Sequence, residues 1–289
     1  MDRKKKNLFF LITLFLLSGC LNSKFYEPNQ IVYDSPENYG LNYETVSFKS
    51  NDGTLLSGWF IKAVGNPIGT VIHFHGNYGN ISYYLKQISW LPAEGFNVFT
   101  FDYRGYGKSE GTPERFGVYQ DSVAAMEYIT SKSGIDNANL FIFAQSLGGT
   151  NAVSLVDNNY FRRICAIAIE STFYSYRREA HDVISSTVQK KIGKIPCLSL
   201  QLWPVSFLTV SDSYSPGDYI DKVSPIPVLL IHCTDDKYVS HRHSELLYDK
   251  AKEPKELWII EKCKHLKLFT QSDEYRKKLV EYFKNSCKR

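Results

Sequence analysis

From Thr70 onward the chain alternates between short apolar runs and longer stretches with helical spacing. Thr70–Phe74, Asn97–Phe101, Leu140–Phe143, Ile164–Ile169, Val228–Ile231 and Glu256–Ile260 read as buried strands. Ile81–Leu91, Phe116–Ser131, Leu147–Val156, His241–Ala251 and Asp273–Phe283 carry the helical pattern between them. Strands that are apolar on both faces and alternate with helices predict an α/β fold, with a mostly parallel sheet covered by helices on both sides. Ahead of them, Thr45–Lys49 and Leu55–Ala63 read as an antiparallel hairpin closed at Asn51-Asp52-Gly53. One interval breaks the rhythm. More than fifty residues, about 171–226, stand where one short helix would suffice, rich in Tyr174, Tyr176, Trp203, Phe207 and Tyr214. An insertion of that length predicts a small, mainly helical cap over the C-terminal edge of the sheet, with Pro196, Pro204 and Pro216 as breakers.

The first nineteen residues follow a different pattern. Arg3, Lys4, Lys5 and Lys6 precede an apolar run from Leu8 to Leu17, too short to span a bilayer as a helix. Leu17-Ser18-Gly19-Cys20 resembles the lipobox of bacterial lipoproteins. That resemblance implies a signal peptide over 1–19, cleavage before Cys20, and acyl chains on its thiol that hold the protein to a membrane outside the cytoplasm. An ordinary cleaved signal or an uncleaved short anchor are the competing readings. Residues 20–40, punctuated by Pro28 and Pro36, read as a tether, and 41–289 as one domain. The four basic residues and Asp2 of the signal carry +3 of the formal +4, so the mature chain is near neutral and gives no support for a nucleic-acid partner. Five cysteines follow Cys20, an odd number. Cys165 reads as a buried thiol, and Cys233 and Cys263 are placed for a disulfide between two strand-end loops. No Cys-x-x-Cys pair points to a metal.

The candidate chemistry lies at strand ends. Ala144-Gln145-Ser146-Leu147-Gly148 sits between a strand and a helix, where a sharp turn holds a serine in a strained backbone and presents its hydroxyl. His75-Gly76-Asn77-Tyr78-Gly79-Asn80 follows the first buried strand, and Asp102-Tyr103-Arg104-Gly105-Tyr106-Gly107-Lys108-Ser109 the second. His232-Cys233-Thr234-Asp235-Asp236 closes the fifth, and Lys264-His265 follows the sixth.

These motifs together resemble the α/β-hydrolase superfamily, most closely its Bem46-like and ABHD13-like serine hydrolases, over about Val46 to Phe283. The resemblance implies Ser146 as nucleophile despite Ala144 in place of the first elbow glycine. It implies His265 as base and Asp236 as the acid that orients it, with Asp235 one residue early as the alternative. Backbone N–H groups of Asn77 and Leu147 would form the oxyanion hole. Asp102 and Arg104 are expected to pair as structural support, and Glu170-Ser171-Thr172-Phe173 to line the acyl pocket. The implied activity is hydrolysis of an ester or related acyl bond of a small-molecule or lipid-like substrate, without cofactor or metal. A peptidase, thioesterase or acyltransferase on the same triad is the alternative. A non-catalytic lipid- or partner-binding lipoprotein is the reading from another class.

Overall fold

A computed structural model describes residues 22–136, 138–192 and 198–287. The signal segment, Cys20 and Cys197 lie outside the described residues.

Ten strands and eight helices are labelled here in chain order: β1 (Glu27–Pro28), β2 (Tyr43–Lys49), β3 (Leu55–Ile61), β4 (Gly69–Phe74), β5 (Tyr78–Gly79), α1 (Ile81–Ile88), β6 (Phe96–Phe101), α2 (Arg115–Ser131), β7 (Leu140–Gln145), α3 (Leu147–Val153), β8 (Ile164–Glu170), α4 (Tyr176–Ile192), α5 (Leu198–Thr209), β9 (Val228–Cys233), α6 (Arg242–Lys250), β10 (Lys255–Ile260), α7 (Leu268–Gln271) and α8 (Asp273–Ser286). Eight strands form one sheet in the order β10-β9-β8-β7-β4-β6-β3-β2, in which only β3 runs against its neighbours. The predicted hairpin is present, with Lys49 opposite Leu55 and Gly53 at positive φ in its turn.

Alternation along the central strands divides the core. Ile72, Phe74, Ile142 and Ile167 pack on one face against α2 and α3 residues such as Val118, Met126 and Ala152. Val71, Phe141, Phe143 and Ala168 pack on the other, against Leu85 and Ile88 of α1 and Leu279 and Phe283 of α8. Both faces are dry, which is why these strands read as continuous apolar runs and not as alternating ones.

The fold outside the site departs from the sequence reading in four places. Residues 22–40 do not stand off as a tether. They lie along the domain as a strap, with Glu27 and Pro28 paired to Tyr78 and Gly79, Tyr26 buried, and Phe25 edge-on to Tyr176 at 4.8 Å. Burying aromatic surface of this kind contributes about 2–3 kcal/mol per ring, enough to hold so short a segment down. Cys165 is not a lone core thiol; it forms a disulfide with Cys287 that ties the end of α8 to β8. Pro204 does not break the cap but lies inside α5, where it costs that helix one N–H bond without ending it. Finally, Arg104 is not the partner of Asp102. Its guanidinium meets Asp121 and Asp52, each at 2.8 Å, while Asp102 accepts the N–H of Ile81 and so starts α1.

Candidate active site

The C-terminal ends of β4, β7, β8, β9 and β10 converge on one side of the sheet. Parallel strands make this edge a natural site, because every loop that leaves it is free to vary over a fixed floor. The turn from β7 into α3 is made at Ser146, whose φ of 53° and ψ of −121° lie outside the ordinary regions for a side-chain-bearing residue. The strain is held by packing and by a hydrogen bond from the Ser146 N–H to the carbonyl of Glu170 at 2.8 Å. Small residues are required here for a reason the sequence did not display. A Cβ on Gly148 would lie 2.1 Å from the carbonyl oxygen of Phe74 and 2.7 Å from that of His75, so the crowding comes from β4 beside it. Gly76 is constrained likewise, since a Cβ there would meet the Tyr84 hydroxyl at 2.5 Å and Ser146 Cβ at 3.3 Å.

His265 lies in the loop after β10, and its Nδ1 donates to Asp236 Oδ2 at 2.6 Å. The other oxygen of Asp236 accepts the N–H groups of Tyr238 and Val239 at 2.9 and 3.0 Å. Asp235 is exposed, and its N–H goes to the carbonyl of Cys263. Burial opposes ionisation of Asp236, yet contacts with His232 and His265 and the two N–H donors hold its carboxyl well below the usual carboxylate range. The sequence pattern gives His232 no role. In the structure its Nδ1 is 2.7 Å from Ser244 Oγ, and its Nε2 donates to the Val239 carbonyl at 3.0 Å and faces Asp236 Oδ2 at 3.3 Å. The carboxylate is therefore gripped from two sides. The disulfide Cys233–Cys263 joins the loop carrying Asp236 to the loop carrying His265.

Ser146, Leu147, Asn77 and His265 line a single cavity of about 760 Å³. Phe25, Tyr84, Phe173, Val183, Ile184 and Val210 give it apolar walls, drawn from the strap, α1, the cap and the loop after β8. Within Glu170-Ser171-Thr172-Phe173 only Phe173 is part of that wall; the other three are buried beneath it. Asn77 is fixed through its carbonyl, which accepts the Glu27 N–H at 2.9 Å and the Tyr106 hydroxyl at 2.7 Å.

Behind the floor runs a buried polar chain. Thr100 Oγ1 is 2.9 Å from His73 Nδ1, His73 Nε2 is 3.1 Å from Gln145 Oε1, and Gln145 Nε2 donates to Glu170 Oε2 at 2.6 Å. Burial pushes Glu170 up to about 7 and His73 down to about 4. His75, next to the oxyanion-type loop, is also buried and pushed down to about 3. Neither His73 nor His75 carries charge at neutral pH, and neither lines the cavity; among the described histidines His265 does. Among the described residues no group of acidic, histidine and cysteine side chains is arranged to hold a metal ion.

A family model described as serine aminopeptidase, S33 (Hydrolase_4) matches residues 65–213. The protein YfhR of Escherichia coli (strain K12) is 37% identical over 285 residues, covering 94% of this chain and 93% of its own length. The α/β hydrolase domain-containing protein WAV2 of Arabidopsis thaliana is 34% identical over 221 residues, 75% of this chain and 69% of its own. Among solved structures, the esterase Pf2001 of Pyrococcus furiosus superposes with a TM-score of 0.70 at 22% identity, over 91% of this chain and 97% of that one.

Proposed function

The chain belongs to the serine aminopeptidase S33 (Hydrolase_4) family and is an α/β-hydrolase enzyme; from that premise we propose that it cleaves carboxylic esters through an acyl-enzyme on Ser146, His265 and Asp236. The observation that carries the reading is the hydrogen bond of 2.6 Å from His265 to a gripped, ionised Asp236, in the same cavity as a serine on a strained strand-to-helix turn. With Nδ1 committed to Asp236, neutral His265 offers Nε2 to accept the serine proton. Ser146 Oγ attacks the carbonyl carbon, and the N–H groups of Asn77 and Leu147 receive the charge on the carbonyl oxygen. His265 returns its proton to the leaving alkoxide. Water activated by the same imidazole then splits the acyl-enzyme, releasing the acid and restoring Ser146. An apolar wall of Phe25, Phe173, Val183, Ile184 and Val210 favours an acyl chain over a polar peptide.

A second reading, a peptidase, is favoured by the description of the family. Labelling by a fluorophosphonate probe tests the shared triad: the wild type is expected to label and Ser146→Ala and His265→Ala not to. Persistent labelling of Ser146→Ala would overturn the assignment. Turnover of p-nitrophenyl esters set against aminoacyl amides then separates the two substrate classes.

The reading of Cys20 as a lipidated residue, with the domain outside the cytoplasm, is also proposed. Two disulfides within one domain support it, since such bonds persist in oxidising compartments. Incorporation of labelled palmitate is expected in the wild type and absent in Cys20→Ser.

A further inference from the structure

The strap that follows Cys20 forms part of the cavity wall. Lys24 and Phe25 line the same space as Ser146 and His265. Lys24 is the fourth residue after Cys20, and fully extended chain covers at most about 14 Å in that distance. Whatever holds Cys20 is therefore held close to the active-site cavity.

The surface around the cavity is unusually apolar for one facing water. Tyr78, Tyr83, Val183 and Tyr238 all line it, yet all four are exposed, Tyr238 by 76%. The strip continues onto the strap. Ile31 and Val32 are 60% and 67% exposed, and the ring of the neighbouring Tyr33 meets Tyr83 at 5.2 Å and Tyr78 at 6.3 Å. Asn80 Nδ2 fixes this turn by donating to the carbonyl of Ile31 at 2.8 Å. Scattered exposed apolar side chains are ordinary, but a contiguous collar around a cavity marks an interaction surface. Tyrosine is suited to a lipid interface, with an apolar ring and a hydroxyl that stays wet. The ionic lining is balanced, Lys24 and Lys267 against Glu27 and Glu179, so attraction between charges is not what holds this face to its partner.

We propose that the collar formed by Ile31, Val32, Tyr33, Tyr78, Tyr83 and Tyr238 docks on the phospholipid bilayer, and that the acyl ester is taken directly from that surface. The proposal rests on the reading of Cys20 as the anchored residue and of Ser146 as the nucleophile. An anchor so near the cavity restricts the domain's orientation, and the collar selects the orientation in which the cavity faces the membrane. An acyl chain then passes from one apolar medium to another, without crossing water. Neither Ile31 nor Val32 touches the cavity, which makes them the positions to change.

The test uses full-length protein on vesicles of phosphatidylethanolamine and phosphatidylglycerol, with two substrates. One is a short-chain, water-soluble p-nitrophenyl ester; the other is a long-chain acyl ester carried in the vesicles. Combined Ile31→Glu and Val32→Glu is expected to slow the vesicle-borne reaction at least tenfold and keep the soluble one within twofold. Retention of both rates, or equal loss of both with an unchanged thermal midpoint, overturns the docking face. Palmitate labelling of Cys20 separates this from the anchor. If labelling is present while both rates are retained, the anchor stands and the docking face falls. If labelling is absent but the vesicle-borne reaction is still selectively slowed, the docking face stands on the collar alone. Should Ser146→Ala keep its fluorophosphonate label, the nucleophile reading fails and the proposal falls with it.

Discussion

At the scale of single residues, the site depends on how burial and hydrogen bonding divide two carboxyl groups. Asp236 is held ionised by four contacts, whereas burial pushes Glu170, one strand away, up to about 7 against the Gln145 amide and the Leu268 N–H. Their substitutions should therefore behave differently. Asp236→Asn removes the acceptor for His265 Nδ1–H and frees the wrong tautomer, so kcat on a soluble ester is expected to fall by about 10³–10⁴-fold with little change in KM. Asp235→Asn should leave both parameters within twofold, and steady-state kinetics on the pair checks the assignment. Glu170→Gln keeps the shape and the Gln145 contact while removing the ionisation. Because the folded carboxyl has a raised pKa, its cost is absent at low pH. The cost appears as pH climbs from the ordinary value of 4.5 to about 7, where it levels off. Relative to the wild type, Glu170→Gln is expected to gain stability across that window, by at most on the order of 3 kcal/mol. Thermal melts at pH 4.5 and pH 8 read the difference; equal offsets at both would refute it.

At the scale of elements, the disulfide Cys233–Cys263 joins the two loops that must present Asp236 and His265 to each other. Closing a loop of 30 residues by such a bond stabilises a fold by about 3.6 kcal/mol. Replacing both cysteines by serine is expected to lower the thermal midpoint and to reduce kcat more than it raises KM, since the acid–base pair loosens while the cavity remains. This level was also the most legible from the chain. Continuous apolar runs placed β4, β6, β7, β8 and β9 to within a few residues, because burial on both faces leaves few polar positions to blur them. The elbow at Ser146, the loop at Asn77 and the order of Asp236 and His265 were readable because each sits directly after such a run. What escaped was long-range. The pairing of Cys165 with Cys287, the transfer of Arg104 from Asp102 to Asp121 and Asp52, and the grip of His232 on Asp236 join positions that no local pattern relates. The strap was missed for the opposite reason. Its two-residue strand is too short to show a period, and only its partner β5 gives it a conformation.

At the scale of the whole molecule, two disulfides fasten different parts of one domain. Cys233–Cys263 serves the site, whereas Cys165–Cys287 fastens the C-terminal helix α8 to the sheet. Reduction by a mild thiol is expected to cost stability through both and activity through the first. Cys165→Ser with Cys287→Ser should accordingly lower the thermal midpoint while keeping kcat within about twofold, as melting and ester turnover would show.

The strap also bears on where this protein can safely be cut. Sequence periodicity alone places the start of the folded body near residue 41, and a chain begun there would keep every member of the proposed triad. It would nevertheless lose Lys24, Phe25 and Glu27 from the cavity, together with the N–H that holds the carbonyl of Asn77. Such a truncated enzyme could still be labelled at its serine while its preference among esters belonged to an artificially widened opening. Substrate profiling with trimmed protein would then describe the trimming.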